Sequence, residues 1–346
     1  MVTYLRWFNR KWPILISIIL LLGVYLFRYK FEGNPTQNPN AERASFVNPV
    51  LQLILEQPGE TGLHPGETGL HPDVSIVPST PPDTDFSHDN CVPMPESPRP
   101  GVIICPHPLS GDIAISKWLL TKGELWEKDL IHAMTDALKR DPDLMLLDIG
   151  ANIGEYTLWA AAMGRQVVSV EMLLENVQRI QMALALSKLG GHVTIVNNAL
   201  YSDHRVLEIT FYKQRFGLTS INVSRVFRQE YVDTNQTIRR VKTICIDDLT
   251  PLMLGKPVYI KMDIEKSEQF ALVCAHRFFR EVDVRIVQME WHKRLPEEST
   301  PILEFMDLHG YACSFNSTVY VHVDPTKIGK NIDVFFMKKS FFKITI

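Results

Sequence analysis

The sequence predicts an α/β fold: a Rossmann-like parallel sheet with helices on both faces, preceded by an N-terminal transmembrane helix and a disordered stem. Three observations carry this expectation. Charge is sorted along the chain, apolar runs alternate with amphipathic stretches after about residue 105, and a glycine-bearing turn follows one of those runs. The 346 residues are 45% hydrophobic with a net charge of -3, which excludes a wholly disordered chain and a strongly basic nucleic-acid binder.

The net charge conceals three segments. Residues 1–30 carry five bases and no acid, residues 31–100 carry ten acids and two bases, and residues 101–346 carry 29 of each. In the first segment, Trp12 to Phe27 is an uncharged, mostly apolar run of 16 residues. A spanning helix needs about 20 residues, but Arg10, Lys11, Arg28 and Lys30 can snorkel to the interfaces. The bulky, charged stretch after Phe27 offers no small-residue cleavage site, so the run reads as an uncleaved signal anchor rather than a cleaved signal. Three bases precede it and two follow, which favours a cytoplasmic N-terminus and a lumenal remainder. A short span suits the thinner membranes of the early secretory pathway, so a type II protein of the ER or Golgi is expected. Sequons at Asn222, Asn235 and Asn316 agree with that placement.

Residues 31–100 hold 13 of the 22 prolines and no lysine, and they contain the repeat Pro58–His64 followed by Pro65–His71. Proline removes donors and blocks helix, so residues 31–104 read as an acidic stem. No metal is expected, at His64 and His71 or elsewhere.

The domain is expected over residues 105–346. Trp118 to Arg140 reads as a single helix, with Trp118, Leu119, Leu125, Trp126, Leu130, Ile131, Met134 and Leu138 on its inner face, broken by Asp141-Pro142. Strand and helix then alternate: strand 144–149, helix 156–163, strand 166–170, helix 175–189 and strand 192–196. Later strands are expected at 206–213, 239–246, 258–264, 284–290 and 333–338.

The chemistry lies at Asp148-Ile-Gly-Ala-Asn-Ile-Gly154, directly after the first of these strands. Glycine at a strand-to-helix turn lets the backbone approach a ligand, and the next helix offers free N–H groups. Glu171 ends the next strand, 17 residues after Gly154, where a carboxylate can accept from both hydroxyls of a ribose. The Gly150-x-x-x-Gly154 spacing departs from the G-x-G-x-x-G of dinucleotide folds. The unit therefore reads as a nucleoside-type cofactor site.

Several motifs in order resemble the FkbM-type S-adenosylmethionine-dependent methyltransferases. They are Asp148–Thr157, Val170-Glu171, Asn197–Asp203, Thr243–Leu249, Lys261–Glu268, Met289–His292 and His309–Tyr311. The resemblance implies a seven-stranded class I methyltransferase sheet over about residues 110–340, S-adenosyl-L-methionine as cofactor, and methyl transfer to a hydroxyl acceptor such as a glycan. It also implies that Asp148, Gly150, Asn152, Gly154 and Tyr156 form the cofactor loop. Glu171 would hold the ribose, and Asn198 and Ala199 would lie near the adenine. Lys261, Asp263, Glu265 and Glu290 would form the catalytic end. In the stretch Lys261-x-Asp263-x-Glu265, period two directs all three residues to one side. A carboxylate or lysine there could take the acceptor's proton.

Two positions depart from the family. Lys266 stands where the family has glycine, and Met172 follows the ribose-binding acid where the family usually has proline. Lys266 keeps a second reading open, a catalytically inactive membrane-anchored trafficking or cargo factor. A methyltransferase on the cytosolic face is a third. Residues 213–242 hold seven bases against two acids and could face an anionic substrate, although a solvated face is the more ordinary explanation. Of five cysteines, Cys91 and Cys105 could pair, while Cys245 reads as a core residue.

Overall fold

The computed structural model describes residues 69–80, 90–112, 114–212, 236–291, 296–328 and 332–341. Among them no helix is long and apolar enough to cross a membrane. The expected anchor at 12–27, the first copy of the repeat, the sequons at Asn222 and Asn235, most of the 213–242 basic stretch and His292 lie outside the described residues.

In chain order, the first strands are β1 (Ile76–Val77), β2 (Val92–Pro93) and β3 (Ile103–Ile104). Helices α1 (Ile115–Lys122) and α2 (Lys128–Arg140) follow. The alternating region is β4 (Met145–Ile149), α3 (Glu155–Ala162), β5 (Val167–Val170), α4 (Leu174–Ser187) and β6 (Val193–Val196). Next come β7 (Ala199–Leu200), β8 (Val206–Tyr212) and β9 (Gln236–Ile244). The last part contains α5 (Thr250–Met253), β10 (Pro257–Met262), α6 (Glu268–Leu272), α7 (His276–Glu281), β11 (Asp283–Trp291), α8 (Pro296–Leu308), β12 (Tyr311–Ser314) and β13 (Ile332–Lys338).

The main sheet has the order β1-β6-β5-β4-β10-β11-β13-β12. Strands β6, β5, β4, β10 and β11 are mutually parallel, and β13 runs antiparallel to both of its neighbours. This is a class I methyltransferase-like order. Alternation within each strand divides the core in two. Leu146, Val167, Ile195 and Tyr259 pack under α1 to α4, while Leu147, Val168, Ile260 and Val287 pack under α5 to α8.

Three expectations are corrected. The sheet has eight strands among the described residues, because β1 pairs antiparallel with the edge of β6. Strands β8 and β9 leave the main sheet and form a separate three-stranded one with β7. The 118–140 helix is two helices. Gly123 adopts φ +65 and its N–H bonds the Leu119 carbonyl, which closes α1 with a left-handed cap. Leu119, Leu125, Ile131, Met134 and Leu138 are buried as expected, but the break turns Trp118 and Trp126 outward.

The described part of residues 69–104 belongs to the fold rather than to an extended stem. The Ser75 amide donates to Asn198 Oδ1 at 2.7 Å, and Asn198 Nδ2 donates to the Asp73 carbonyl at 3.1 Å. Further on, the Ile103 amide donates to Ser187 Oγ on α4 at 2.8 Å, and Arg99 donates to the Ser187 carbonyl. Proline-rich composition reports the lack of regular structure here, but backbone donors and apolar residues such as Met94 and Ile104 still find partners on the domain.

Two disulfides form. Cys91–Cys105 joins the segment around β2 to β3, and Cys245–Cys274 ties the end of β9 to the α6–α7 connection. Cys245 is therefore bridged rather than a core thiol. Cys313 is buried and free.

Candidate active site

A cavity opens at the carboxyl ends of β4 and β10, where the sheet order reverses direction. It is lined by Gly150, Asn152, Tyr156, Glu171, Asn198 and Ala199. Lys261, Asp263, Glu265 and Glu290 line it as well. Ten of the twelve residues singled out from the sequence thus meet in one place. Asp148 and Gly154 do not line it.

Gly150 has φ +78, and a Cβ there would lie 2.0 Å from the Asp263 carbonyl oxygen. Only glycine lets the β4 loop cross the β10 loop this closely. Gly154 has φ +89, and a Cβ would meet Ile180 Cγ1 at 3.0 Å, so it serves helix packing. Asp148 is fully buried, and its Oδ2 accepts from Thr157 Oγ1 at 2.6 Å. It braces the loop from beneath, and its place in the sheet interior follows from the period-two pattern of β4.

Glu171 accepts the Asn152 amide on Oε2 and the Leu173 amide on Oε1, each at 2.8 Å. Burial pushes its carboxyl up to about 7, and those two amides and Asn176 pull it back down. The Asn198 side chain faces the cavity but bonds Ser75, Asp73 and the Lys242 carbonyl, so it supports the wall.

Lys261 Nζ lies 3.4 Å from Asp263 Oδ2 and 3.4 Å from the Gly150 carbonyl, 5.2 Å from the centre of the Tyr156 ring. Burial alone would lower its ammonium, but Asp263, Glu127, Asp148 and Asp333 around it raise it above the ordinary lysine value. Lys261 is thus a held cation, and the expectation that it could serve as a proton-accepting base is corrected. Ligand oxygens of Asp263, Glu265 and Glu290 lie within 4.8 Å of one another. A second grouping, His71, His204 and Asp248, is a hydrogen bond with a ring stack: His204 Nε2 is 2.7 Å from Asp248 Oδ2, and the imidazoles stack at 3.9 Å.

Glu265 and Lys266 both adopt left-handed backbone, at φ +55 and +71. The turn that favours glycine at 266 is therefore kept with lysine in it, at a cost of about 1 kcal/mol.

The sequence reading missed Glu127, Glu155 and Trp126 in the cavity wall. Burial pushes Glu127 up to about 7, against the opposing pull of Lys261. Burial likewise brings Glu155 to about 7. Glu127 sits in what reads as helix, so no local signal marked it. The buried chain from Tyr259 through Gln288 to Tyr156 and Asp333 was also unmarked. Gln288 accepts from Tyr259 Oη at 2.8 Å and donates to Tyr156 Oη at 3.0 Å and Asp333 Oδ2 at 2.7 Å.

Residues 148–313 match the family model described as "Methyltransferase FkbM domain". No curated protein matches the chain significantly. Among solved structures, a precorrin-6y C5,15-methyltransferase from Geobacter metallireducens is 13% identical, with a TM-score of 0.34 over 61% of this chain and 88% of that one. A magnesium protoporphyrin IX methyltransferase from Synechocystis with bound SAM is 11% identical, with a TM-score of 0.36 over 65% and 83%. A putative O-methyltransferase from Klebsiella pneumoniae is 10% identical, with a TM-score of 0.33 over 61% and 80%. Likenesses of this size fix neither activity nor substrate.

The donor set fits S-adenosylmethionine, the cofactor of this domain. Glu171 is a carboxylate suited to ribose hydroxyls, the loop from Gly150 to Asn152 brings backbone to the cavity, and both share the cavity with a second cluster of acids. The loop after β4 and the strands β10 and β11 fall within residues 148–313, the part of the chain that is similar to a methyltransferase FkbM domain.

Proposed function

We propose that the chain is an O-methyltransferase of the secretory pathway that methylates a hydroxyl of a glycan or related acceptor. The observation that carries it is that one cavity brings together the Gly150 loop, Glu171, and Asp263, Glu265 and Glu290 beside Lys261. Bound S-adenosylmethionine supplies an electrophilic methyl carbon on a sulfonium. Gly150, Asn152 and Glu171 would hold it. The acceptor oxygen must be aligned in line with that carbon, which a cavity lined from several strands favours. It must also lose a proton. Asp263, Glu265 and Glu290 are positioned to accept it, and Glu127, brought to about 7 by burial, suits proton transfer near neutral pH. Lys261 holds Asp263 and the Gly150 carbonyl in place and balances the surrounding acids.

Two disulfides support a lumenal domain, since such bonds persist in oxidising compartments. The exposed Asn316 sequon agrees. The left-handed turn is retained at Lys266, which supports the enzymatic reading. In a test with the full-length chain, S-adenosylmethionine should bind by calorimetry and support methyl transfer to hydroxyl acceptors. Asp263→Asn should lower transfer by about 100-fold while leaving cofactor affinity nearly unchanged. Failure to bind the cofactor, or binding with no transfer, would overturn the proposal. A glycosidase-sensitive gel shift lost in Asn316→Gln tests the compartment.

A further inference from the structure

We infer that Trp126, packed edge to face against Trp118, forms an aromatic seat in the cavity wall that takes a neutral sugar ring, so that the acceptor is a neutral glycoside. This rests on the O-methyltransferase reading above.

Trp126 lies on the loop between α1 and α2 and lines the cavity beside Ala114, Ile115 and Glu127. It is 46% exposed, and Trp118 on α1 is 36% exposed. The two rings meet edge to face, with centroids 5.7 Å apart and planes at 88°. An indole has a large apolar surface and is usually covered. Here Trp126 lines the cavity half exposed, with Trp118 packed edge on against it. Their support is rigid: Gly123 caps α1, Leu125 is buried next door, and the Trp126 amide donates to Glu155 Oε1. The backbone is thus fixed while the ring stays available.

The wall behind the platform selects by charge. Asp263, Glu265 and Glu290 line the cavity against one cation, Lys261. Lys261 is already engaged with Asp263. A phosphate, sulfate or uronate would meet like charge in a partly desolvated cleft. A neutral pyranose has what this site lacks. Its C–H face matches the indole, and its hydroxyls can donate to the carboxylates. The acceptor hydroxyl would then point from the ring toward Asp263 and Glu290.

The full-length chain should be titrated with neutral oligosaccharides and with their uronate counterparts, following tryptophan fluorescence and glycan-array binding. Neutral glycans should bind and perturb the fluorescence, and uronates should bind at least roughly tenfold more weakly. Trp126→Ala should weaken glycan binding by roughly tenfold, and Trp126→Phe by less. Unchanged calorimetric binding of S-adenosylmethionine in both variants would show that they are folded. Equal or better binding of uronates, wild-type binding by Trp126→Ala, or no glycan bound at all would overturn the inference. None of these results touches hydroxyl methylation as such. Neutral glycan binding without methyl transfer would instead overturn the enzymatic reading and leave the platform standing.

Discussion

Lys261 and Asp263, two residues apart at the end of β10, form an ion pair at 3.4 Å in which the lysine is buried and the aspartate half-buried, and the same ammonium reaches the Gly150 carbonyl. In register, Lys261 lies between Asp148 on β4 and Gln288 on β11. One cation therefore balances carboxylates from several strands. Its removal leaves buried charge behind. Lys261→Met is expected to destabilise the domain by about 3–5 kcal/mol, and Lys261→Arg by less, as measured by urea denaturation. Equal stability of Lys261→Met and wild type would disprove this balancing role.

Cofactor affinity should depend on pH through Glu171. Ribose hydroxyls donate hydrogen bonds, and a protonated carboxyl is a poorer acceptor than a carboxylate. With its carboxyl at about 7, affinity for S-adenosylmethionine should fall as pH drops through about 7. Glu171→Gln should bind weakly at every pH and flatten the profile, which calorimetry at several pH values would reveal.

The ligand-free domain should respond in the opposite sense. Glu127, Glu155 and Glu171 all sit at about 7, above their ordinary value of 4.5, because burial favours the neutral form. The folded state thus holds these protons more tightly than the unfolded chain. Their contribution is fully present below pH 4.5 and is lost as pH rises through about 7. The denaturation midpoint without cofactor should therefore decline over that window relative to a Glu127→Gln/Glu155→Gln variant.

The disulfides should be detectable directly. Peptide mapping without reductant should link Cys91 to Cys105 and Cys245 to Cys274 and leave Cys313 free. The second bridge closes a loop with a sequence separation of 29, so Cys245→Ser should cost about 3–4 kcal/mol. A reducing agent that leaves the melting temperature unchanged would count against both bridges.

Lys266 invites a simple comparison. At φ +71 a Cβ is disfavoured, so Lys266→Gly should be more stable than Lys266→Ala by about 1 kcal/mol in chemical denaturation. A stability order reversed between the two would mean that the turn has a different shape in solution.

The alternating pattern from residue 144 to 196 and the glycine loop determined the parallel sheet and the position of the cavity with Gly150 and Glu171 in it, because strand period and turn chemistry are local properties of a chain; residues such as Asp263 and Glu290 were marked by the family resemblance. The split of 118–140 into two helices turned on one left-handed glycine, and a helical pattern with intact periodicity does not announce such a break. Segments 69–80 and 90–104 were folded by contacts more than 80 residues away, such as Ser75 with Asn198 and Ile103 with Ser187, which composition does not encode. Only the tertiary structure placed Glu127 and Trp126 in the cavity wall, paired Cys245 with Cys274, and made Lys261 a fixed cation rather than a base. Each depends on what packs nearby. Burial and the field of neighbouring carboxylates govern a side chain's chemistry, and both come from residues distant in sequence.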